Sequence, residues 1–514
     1  MNDKLISRLA AALLLAALVK VPVQAQAAGT PPNIVMIMAD DVAPFDISAI
    51  HRGLGAVNTP NIDRLAREGM IVSDYYAQPS CTAGRAAFLT GQYPIRTGLT
   101  SVGTPGAKIG LKPEDPTLAQ MLNARGYNTA LFGKSHVGDR NEYLPTMHGF
   151  GEFFGILYHL NMMNMVEQPE FPKEPGFAGR PRNVLYTKVT DQDDATEDPR
   201  FGRIGKQSIE DRGMLGAKRQ ETFDDEVLAA ASDWLNRSRR SGKPFFLWFA
   251  PTRMHQPTNV SPEWEGRSGH SRYADGLLHL DSIVGKLLKQ LDDMGAAKNT
   301  IVMFTADNGV NLAHWPDSGT PAFRGEKGTT WDGGFRVPML VRWPGHVQAN
   351  SWTGEFMTSE DWLPTLMAVA GDTDIKERLL KGAKIGEKEY KVHLDGYNQV
   401  DMLTGKGKSK RHEFFFYAET SLNAVRVDQW KAHLAVKNSW LGGTEKLDGG
   451  MLINIKLDPF ELTPQTGGHL QWEKEKQYIV PMVLPHVEAY FKSLRDFRPR
   501  QRGTGIGAAL MFNN

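Results

Sequence analysis

The sequence predicts an α/β protein with a large, mostly parallel sheet flanked by helices and a smaller C-terminal domain containing an antiparallel sheet. Short apolar runs rich in β-branched or aromatic residues alternate with helical patterns. These runs lack strict polar alternation, which is typical of parallel strands covered on both faces. From residue 413 onward, strand patterns follow one another closely, as in an antiparallel meander.

Four runs predict strands of the parallel sheet most clearly, namely 33–38, 128–132, 244–249 and 300–305. The meander is predicted from the runs 413–417, 424–427, 431–436 and 451–455.

Three helices are predicted between these strands. The strongest precedes Gly295, which would end it. Another runs from about residue 222 to 239 with acidic residues near its start, and a short one follows Thr59-Pro60. In the strongest helix, apolar residues step by three and four onto one face: Leu277, Leu280, Val284, Leu287, Leu291 and Met294.

Between residues 157 and 220 the pattern gives way to Met-rich, Pro/Gly-rich and charged sequence. A stretch of this length without secondary structure predicts a functional loop or an insertion. Its acidic run, 191–198, is expected to face solvent rather than bind a metal, as charge runs commonly do.

The first 28 residues predict a secretory signal. Lys4 and Arg8 precede an apolar run at 9–19, and small residues with an Ala-x-Ala pattern follow. The apolar run is too short to span a bilayer comfortably, which disfavours an uncleaved anchor. We expect an exported protein, periplasmic or secreted, with no stable membrane anchor.

The remaining chain is expected to divide near residues 371–410, where the sequence becomes rich in Lys, Gly and Glu. This predicts a catalytic α/β domain over 29–375 and a smaller α+β domain over 376–514. A length of 514 residues suits two or three domains. The formal net charge of +1 gives no overall field that would draw the protein to nucleic acid.

Polar residues follow the predicted strands at their carboxyl ends. Open parallel sheets bind ligands at that edge, so these side chains are expected to meet in one crevice, although each taken singly could be a cap or turn residue. Asp40, Asp41, Asp307 and Asn308 offer oxygen ligands that favour Ca²⁺ or Mg²⁺ over Zn²⁺. The acids are expected to repel one another unless a hard cation lies among them. An anion site beside the metal is predicted from Arg85, Lys134, His136, His255 and Lys327.

Other hydrolase and nucleotide-binding motifs are missing. Gly133-Lys134-Ser135 lacks the upstream glycine of a phosphate-binding loop, because Asn128 stands there. The sequence contains neither a Gly-x-Ser-x-Gly elbow nor a His-Glu-x-x-His zinc helix.

The run 79–91, Pro-Ser-Cys-Thr-Ala-Gly-Arg-Ala-Ala-Phe-Leu-Thr-Gly, closely resembles the signature of type I sulfatases, in which Cys-x-Pro-x-Arg precedes a Thr-Gly pair. The resemblance covers about residues 33–465 and implies an alkaline-phosphatase-like fold. The blocks that agree in order are 33–41, 58–66, 133–138, 304–309 and 325–338, followed by 343–345, 361–365 and 457–461.

In this family a maturation enzyme oxidises the motif cysteine to Cα-formylglycine, which the resemblance implies for Cys81, the sole cysteine of the chain. One hydroxyl of the hydrated aldehyde attacks sulfur and the alcohol leaves; the second hydroxyl then loses its proton and expels sulfate. The resemblance further implies that Asp40, Asp41, residue 81, Asp307 and Asn308 hold the cation, usually Ca²⁺, with Mg²⁺ as the alternative.

The resemblance also implies roles for the basic residues. Arg85 would anchor the diol and Lys134 would contact the sulfate, while His136 would serve the elimination step. His255 and Lys327 would bind sulfate and protonate the leaving group. The chain departs from the family at Ala83, where proline is more common, and at Ser135, which replaces a common tryptophan.

The sequence predicts an arylsulfatase-like hydrolase acting on a small sulfate ester. Two alternatives stay open: a phosphonate monoester or phosphodiester hydrolase that uses the same formylglycine, and an unmatured protein that binds sulfated ligands without turnover. The natural substrate, whether an aryl, sugar or alkyl sulfate, and the oligomeric state also stay open.

Overall fold

The core is a ten-stranded mixed sheet in a computed structural model that describes residues 31–101, 103–174 and 176–503. In chain order its strands are β1 (Asn33–Ala39), β2 (Met70–Tyr76), β3 (Asn128–Lys134), β4 (Glu152–Ile156), β5 (Leu185–Asp198), β6 (Gly202–Asp211), β7 (Phe245–Ala250), β8 (Thr300–Ala306), β9 (Met339–Arg342) and β10 (Ser351–Thr358). The predicted signal at 1–28 lies outside the described residues.

The four strands predicted most clearly are adjacent in the sheet. The order is β10-β2-β9-β8-β1-β7-β3-β4-β5-β6, and the five central strands from β8 to β4 are mutually parallel. Every residue of β7 and β8 is buried, because both faces of the sheet are covered. The predicted α/β class is thereby confirmed.

Helices connect the strands and cover the sheet. They are α1 (Ser48–His51), α2 (Pro60–Glu68), α3 (Cys81–Thr90), α4 (Pro94–Thr97), α5 (Leu118–Asn123), α6 (Leu160–Met165), α7 (Ala217–Gln220), α8 (Phe223–Arg240), α9 (Arg272–Asp293), α10 (Trp362–Val369), α11 (Ile375–Lys381), α12 (Val400–Leu403), α13 (His469–Glu475) and α14 (Val480–Asp496).

The three predicted helices correspond to α2, α8 and α9. The Ser271 side chain accepts a hydrogen bond from the Ala274 amide and caps α9, which ends just before Gly295 at a φ of 68°. Among the described residues, no helix combines the length and apolar character that crossing a bilayer requires.

The expectation that residues 157–220 lack secondary structure is wrong. This segment contains α6, the antiparallel hairpin β5–β6, and α7, and the hairpin extends the sheet from β4. The inner part of β5 alternates buried and less buried residues, so it packs as an ordinary half-buried strand. The acidic run 191–198 lies on the distal part of β5 and is exposed, as expected.

The C-terminal meander is confirmed as a four-stranded antiparallel sheet in the order β13-β14-β15-β16. Tyr76, at the end of β2, contacts Phe356, Phe414 and Phe416 with ring centroids 5.4, 5.2 and 5.7 Å away. The two sheets therefore share an aromatic core. The strands are β13 (Glu413–Ala418), β14 (Ser421–Val427), β15 (Trp430–Lys437) and β16 (Thr444–Asn454), and a separate pair is formed by β11 (Ala383–Ile385) and β12 (Lys388–Tyr390).

Buried ion pairs also join the two sheets. Asp74 of β2 accepts two hydrogen bonds from Arg426 of β14, at 2.8 and 2.7 Å. Arg336 and Lys456 approach the same carboxylate at 3.2 and 2.6 Å. Burial alone would raise the pKa of Asp74, but Arg426 and Arg336 hold that pKa far below its usual value. The carboxylate is therefore charged and fully partnered.

Candidate active site

The predicted polar residues meet at the carboxyl edge of the central strands. Asp40 and Asp41 follow β1, Lys134 is the last residue of β3, and Asp307 follows β8. The loop after β7 brings His255 to the same place. Parallel neighbouring strands deliver their ends to one edge, and all five side chains are buried there.

Backbone hydrogen bonds fix the loops that carry these residues. The Asp40 amide donates to the Arg253 carbonyl at 3.0 Å, and the Met254 amide donates to the Asp40 carbonyl at 2.7 Å. These bonds hold the loop of His255 against the end of β1. Asp41 and His136 both have a φ of 60°, a left-handed conformation that is uncommon outside glycine and clusters at functional sites.

Cys81 is the first residue of α3, and a glycine allows this helix to approach the acids. A Cβ on Gly84 would lie 1.8 Å from the Asp307 carbonyl oxygen, so no larger residue fits that position without displacing the backbone. The Cys81 thiol donates to Asp40 Oδ1 at 3.3 Å, and Lys327 Nζ donates to Cys81 Sγ at 3.0 Å.

Each of the three carboxylates is paired with a basic side chain. Lys134 contacts Asp40, Lys327 Nζ lies 2.6 Å from Asp41 Oδ1, and an Arg85 nitrogen lies 2.8 Å from Asp307 Oδ2. These ion pairs offset part of the expected repulsion among the acids, although the Asp40 charge still acts on Asp307.

The charges around the acids shift their pKa values in opposite directions. Burial alone would raise the pKa of Asp40, but Lys134, His255 and Arg85 hold it well below its usual value. Burial and the nearby Asp40 charge raise the pKa of Asp307. Burial, together with the Asp40 charge, also raises the pKa of the Cys81 thiol. An unmodified cysteine here is a thiol and not a reactive thiolate.

The donor set fits a hard cation. Asp40, Asp41, Cys81 and Asp307 each offer one ligand atom, and these atoms all lie within 4.8 Å of one another. Asn308 Nδ2 donates to Asp41 Oδ1 at 2.6 Å, whereas its own buried Oδ1 has no hydrogen-bond partner among the described residues. An oxygen-rich cluster with an unused carbonyl oxygen is the chemistry that Ca²⁺ and Mg²⁺ select.

Lys327 is positioned by three parts of the chain. Its amide donates to the Val310 carbonyl at 2.7 Å, and the next amide, of Gly328, donates to the Pro79 carbonyl at 2.8 Å. Its Nζ lies 5.0 Å from the ring centroid of Trp440, in the β15–β16 connection. Burial alone would lower the pKa of Lys327, but Asp41 and Cys81 raise it, so the side chain is charged.

The two predicted histidines line the site with different constraints. His255 Nδ1 donates to the Gln256 carbonyl at 2.7 Å, which leaves Nε2 facing Asp41 Oδ2 at 3.9 Å. Burial and the Lys327 charge lower the pKa of His255 to about 4. Both ring nitrogens of His136 are buried and find no hydrogen-bond partner within the described part of the chain.

Two further residues at this edge were not predicted from the sequence. The His159 ring stacks on His255 with centroids 5.3 Å apart and lies edge-on to His136 at 5.8 Å. Asn311 Nδ2 donates to Asp41 Oδ2 at 3.5 Å. The signal was available for both, since His159 follows β4 as the other residues follow their strands, and Asn311 continues the segment after β8.

Comparisons with known proteins agree with this geometry. The family model described as Sulfatase matches residues 32–372. Arylsulfatase A of Bos taurus is 35% identical over 429 residues, covering 80% of this chain and 76% of that protein. N-acetylgalactosamine-6-sulfatase of Mus musculus is 31% identical over 437 residues, covering 82% and 76%. The crystal structure of the PsFucS1 sulfatase from Pseudoalteromonas sp. matches with a TM-score of 0.77 at 27% identity, covering 92% of each chain.

The mixed α/β fold and these relatives define the protein as a sulfuric ester hydrolase. Its fold is that of the alkaline phosphatase superfamily, as the resemblance implied. The chain belongs to the sulfatase family.

Proposed function

We propose that the protein hydrolyses sulfate monoesters, arylsulfatase-like in chemistry, with a formylglycine at position 81 and one bound Ca²⁺ or Mg²⁺. The supporting observation is the meeting of Cys81 with three carboxylates and three basic side chains at one buried edge of the sheet. A hydrated aldehyde supplies two hydroxyls on one carbon, one to attack sulfur and one to expel sulfate.

The basic side chains have different roles around the bound sulfate. Lys134 and Lys327 offer charged donors to its oxygens, and both are held in place by acids. Arg85 is fully buried; Nη1 donates to the Lys134 carbonyl at 2.7 Å and Nε donates to Asp307 Oδ2 at 2.9 Å. We assign Arg85 to anchoring residue 81 and the acids. His136 lies free to accept the proton lost in elimination.

The metal would be held by Asp40, Asp41, Asp307 and Asn308 together with residue 81. Bound there, the cation would lower the pKa of an attached hydroxyl and stabilise negative charge on sulfate oxygens. A cation there would also neutralise the carboxylates that Lys134 and Lys327 now contact, which would leave both ammonium groups available to the sulfate oxygens.

Asp307→Asn is expected to lose the bound metal. The substitution keeps the size of the side chain but removes one of three carboxylates, so the purified variant should contain far less Ca²⁺ or Mg²⁺ than about one equivalent per chain. Elemental analysis after exhaustive dialysis measures this directly.

Asp46→Asn is the matched control for the metal experiment. Asp46 is a buried acid outside the cluster that accepts from the Ala43 amide at 2.8 Å and from the Tyr273 hydroxyl at 2.9 Å. Burial raises its pKa to about 6. This variant should keep its metal. Stoichiometric zinc in the wild-type protein, with neither Ca²⁺ nor Mg²⁺, would contradict the proposal.

His255→Ala is expected to slow poor leaving groups more than good ones. The negative charge of a bound sulfate ester would favour the protonated ring, so that Nε2 could carry a proton to the departing oxygen. An alkyl sulfate should then lose about 10²–10³ in kcat, while an activated nitrophenyl sulfate needs little proton transfer and loses less. The measurement is a plot of log kcat against leaving-group pKa for both proteins. Equal slowing across the series would move the acid role to Lys327.

A substrate comparison tests the proposal as a whole. The matured protein should release inorganic sulfate from 4-nitrophenyl sulfate faster than it cleaves the corresponding aryl phosphonate, because the site offers one divalent ion and a limited set of cations. Faster turnover of the phosphonate would favour the alternative hydrolase. Binding of sulfated ligands without turnover, and with an unmodified thiol at position 81, would favour the unmatured binding protein.

The proposal also includes enzymatic conversion of Cys81 to formylglycine and export of the protein. The motif around Cys81 supports recognition by a formylglycine-generating enzyme, and the pattern of residues 1–28 supports export to the periplasm or medium. Loss of activity when the protein is produced without that enzyme would support the first step. N-terminal sequencing of the exported protein tests the second.

A further inference from the structure

Substrate must reach a site whose residues are almost completely buried. A cavity of about 200 Å³ borders the proposed metal site, because Asp41 forms part of its wall together with the neighbouring Asn311. Gln256, whose carbonyl holds His255 Nδ1 at 2.7 Å, also lines it. This cavity therefore borders one of the acids proposed to hold the metal and the segment that carries His255, the proposed acid for the leaving group.

The walls of this cavity combine hydrogen-bonding and apolar groups. Gln256, Asn259, His314 and Ser318 line it, and Met254 and Pro257 supply apolar surface. The Ser318 hydroxyl is buried and has no hydrogen-bond partner among the described residues. A flat aryl or steryl group would leave such groups unsatisfied, whereas a ring that carries several hydroxyls would pair with them.

A second cavity of about 430 Å³ lies next to the first, since Tyr273, Asp317 and Ser318 line both. Trp315 is part of its wall and is 64% exposed. Together the two cavities reach the size range of small-ligand sites, roughly 300–1,000 Å³. An exposed indole beside polar groups offers an apolar face to a ligand that also needs hydrogen bonds at its edge.

The segment that carries Trp315 is anchored rather than loose. The Leu312 amide donates to Glu326 Oε2 at 2.9 Å, and the Ala313 amide donates to Asn311 Oδ1 at 3.0 Å. At its other end, Asp317 Oδ1 accepts from the Tyr273 amide, at the start of α9, at 2.7 Å. The backbone on both sides of Trp315 is thereby anchored at the second cavity, so this segment needs little ordering when a ligand arrives.

We propose that the alcohol part of the substrate is a saccharide, with the sulfated sugar in the cavity beside Asp41 and an adjoining sugar of the same chain against Trp315. This inference rests on the proposed sulfate ester hydrolysis and adds to it the substrate class. A pyranose ring has hydroxyls at its edge and an apolar face of C–H bonds, which matches the two kinds of wall. The two adjoining cavities match a ligand of at least two linked rings.

The test compares three kinds of sulfate ester on the matured protein: monosulfated disaccharides, the matching monosulfated hexoses, and 4-nitrophenyl sulfate. Wild-type kcat/KM should be highest for a disaccharide. Trp315→Ala should lower that value about tenfold, mainly through KM, and should lower it less for the hexose and the aryl sulfate. Trp315→Phe keeps an aromatic face and should recover most of the loss.

Trp352→Ala is the matched control. Trp352 is also exposed, at 45%, but it lies at the start of β10, at the opposite edge of the sheet from the site. This variant should retain wild-type kinetics with all three substrates. In addition, the disaccharide should change the tryptophan fluorescence of a Cys81→Ala variant, and Trp315→Phe in that background should remove the change.

The outcomes separate the inference from the function on which it rests. Turnover of 4-nitrophenyl sulfate without turnover of any sulfated saccharide would overturn the saccharide assignment and leave sulfate ester hydrolysis intact. An equal loss for all three substrates in Trp315→Ala would overturn the role of Trp315. If the matured protein released sulfate from none of them, the proposed function would fail, and the inference with it.

Discussion

Cys81→Ala is expected to reduce sulfate release by about 10⁴–10⁶-fold, because removal of a covalent nucleophile commonly costs this much in kcat. Alanine leaves Asp40 and Lys327 without their contacts to sulfur, at 3.3 and 3.0 Å, but fits the buried position without strain. The measurement is initial-rate release of sulfate from 4-nitrophenyl sulfate, with protein folding verified by an unchanged circular dichroism spectrum.

Cys81→Ser separates a simple nucleophile from one with two hydroxyls. Where no maturation enzyme accepts serine, the hydroxyl can attack sulfur once, but no second hydroxyl on the same carbon is present to expel sulfate. We expect at most one equivalent of nitrophenol per chain and a stable sulfate ester on residue 81 by peptide mass spectrometry. Multiple turnovers by an unmodified serine would contradict this.

Mass spectrometry of the wild-type peptide completes the experiment. Specific activity should rise in proportion to the fraction of residue 81 present as aldehyde, because the buried thiol has a raised pKa and is a poor nucleophile at neutral pH. Full activity in protein that carries only the thiol would refute the formylglycine proposal. It would leave the family membership of the chain unaffected.

Asp74→Asn is expected to lower the free energy of unfolding by about 3–5 kcal/mol at pH 7. Loss of one partner from a buried ion pair leaves the other charge unpaired, and here Arg426 loses its carboxylate, whereas Arg336 keeps Asp332 at 2.9 Å. Denaturant unfolding should show a lower midpoint at an unchanged slope. Asp293→Asn is the control, because Asp293 and Lys289 are exposed and the pair contributes at most about 1 kcal/mol.

The ion pair between Asp74 and Arg426 also predicts how the free energy of unfolding depends on pH. The pKa of Asp74 is far lower in the folded chain than the ordinary carboxyl value of about 3.9. The stabilising contribution of the charged Asp74 side chain is therefore fully present above a pH of about 3.9. It is lost as the pH falls from there toward the lower pKa of the folded chain. The stability difference between wild type and Asp74→Asn should shrink in acid. A difference that grows below pH 4 would contradict the assignment.

Local patterns were sufficient to predict the central strands and the meeting of the polar residues that follow them. The runs at 33–38, 244–249 and 300–305 are apolar throughout because both faces of those strands are covered, and this signal is visible without knowledge of their partners. Polar residues that follow such strands reach a common edge whatever the order of the strands, so their meeting followed from the parallel class alone.

Other features depend on contacts between distant segments. The hairpin β5–β6 belongs to the sheet because β5 pairs with β4, and no local pattern in its acidic half indicates that pairing. The ion pairs of Asp40, Asp41 and Asp307 depend on side-chain directions that spacing does not give. His159 differs from these, because its position after β4 is a local signal; β4 is short and contains Gly155, so the strand was not recognised.

The packing of Trp440 over Lys327 affects how this enzyme could be shortened or recombined. Lys327 lies within the segment that the family model matches, up to residue 372, whereas the Trp440 indole lies beyond that segment. A fragment cut at residue 372 would lose the indole and would also leave Asp74 without Arg426 and Lys456. Chimeras between relatives should therefore exchange the C-terminal sheet together with the residues of the first part of the chain that contact it.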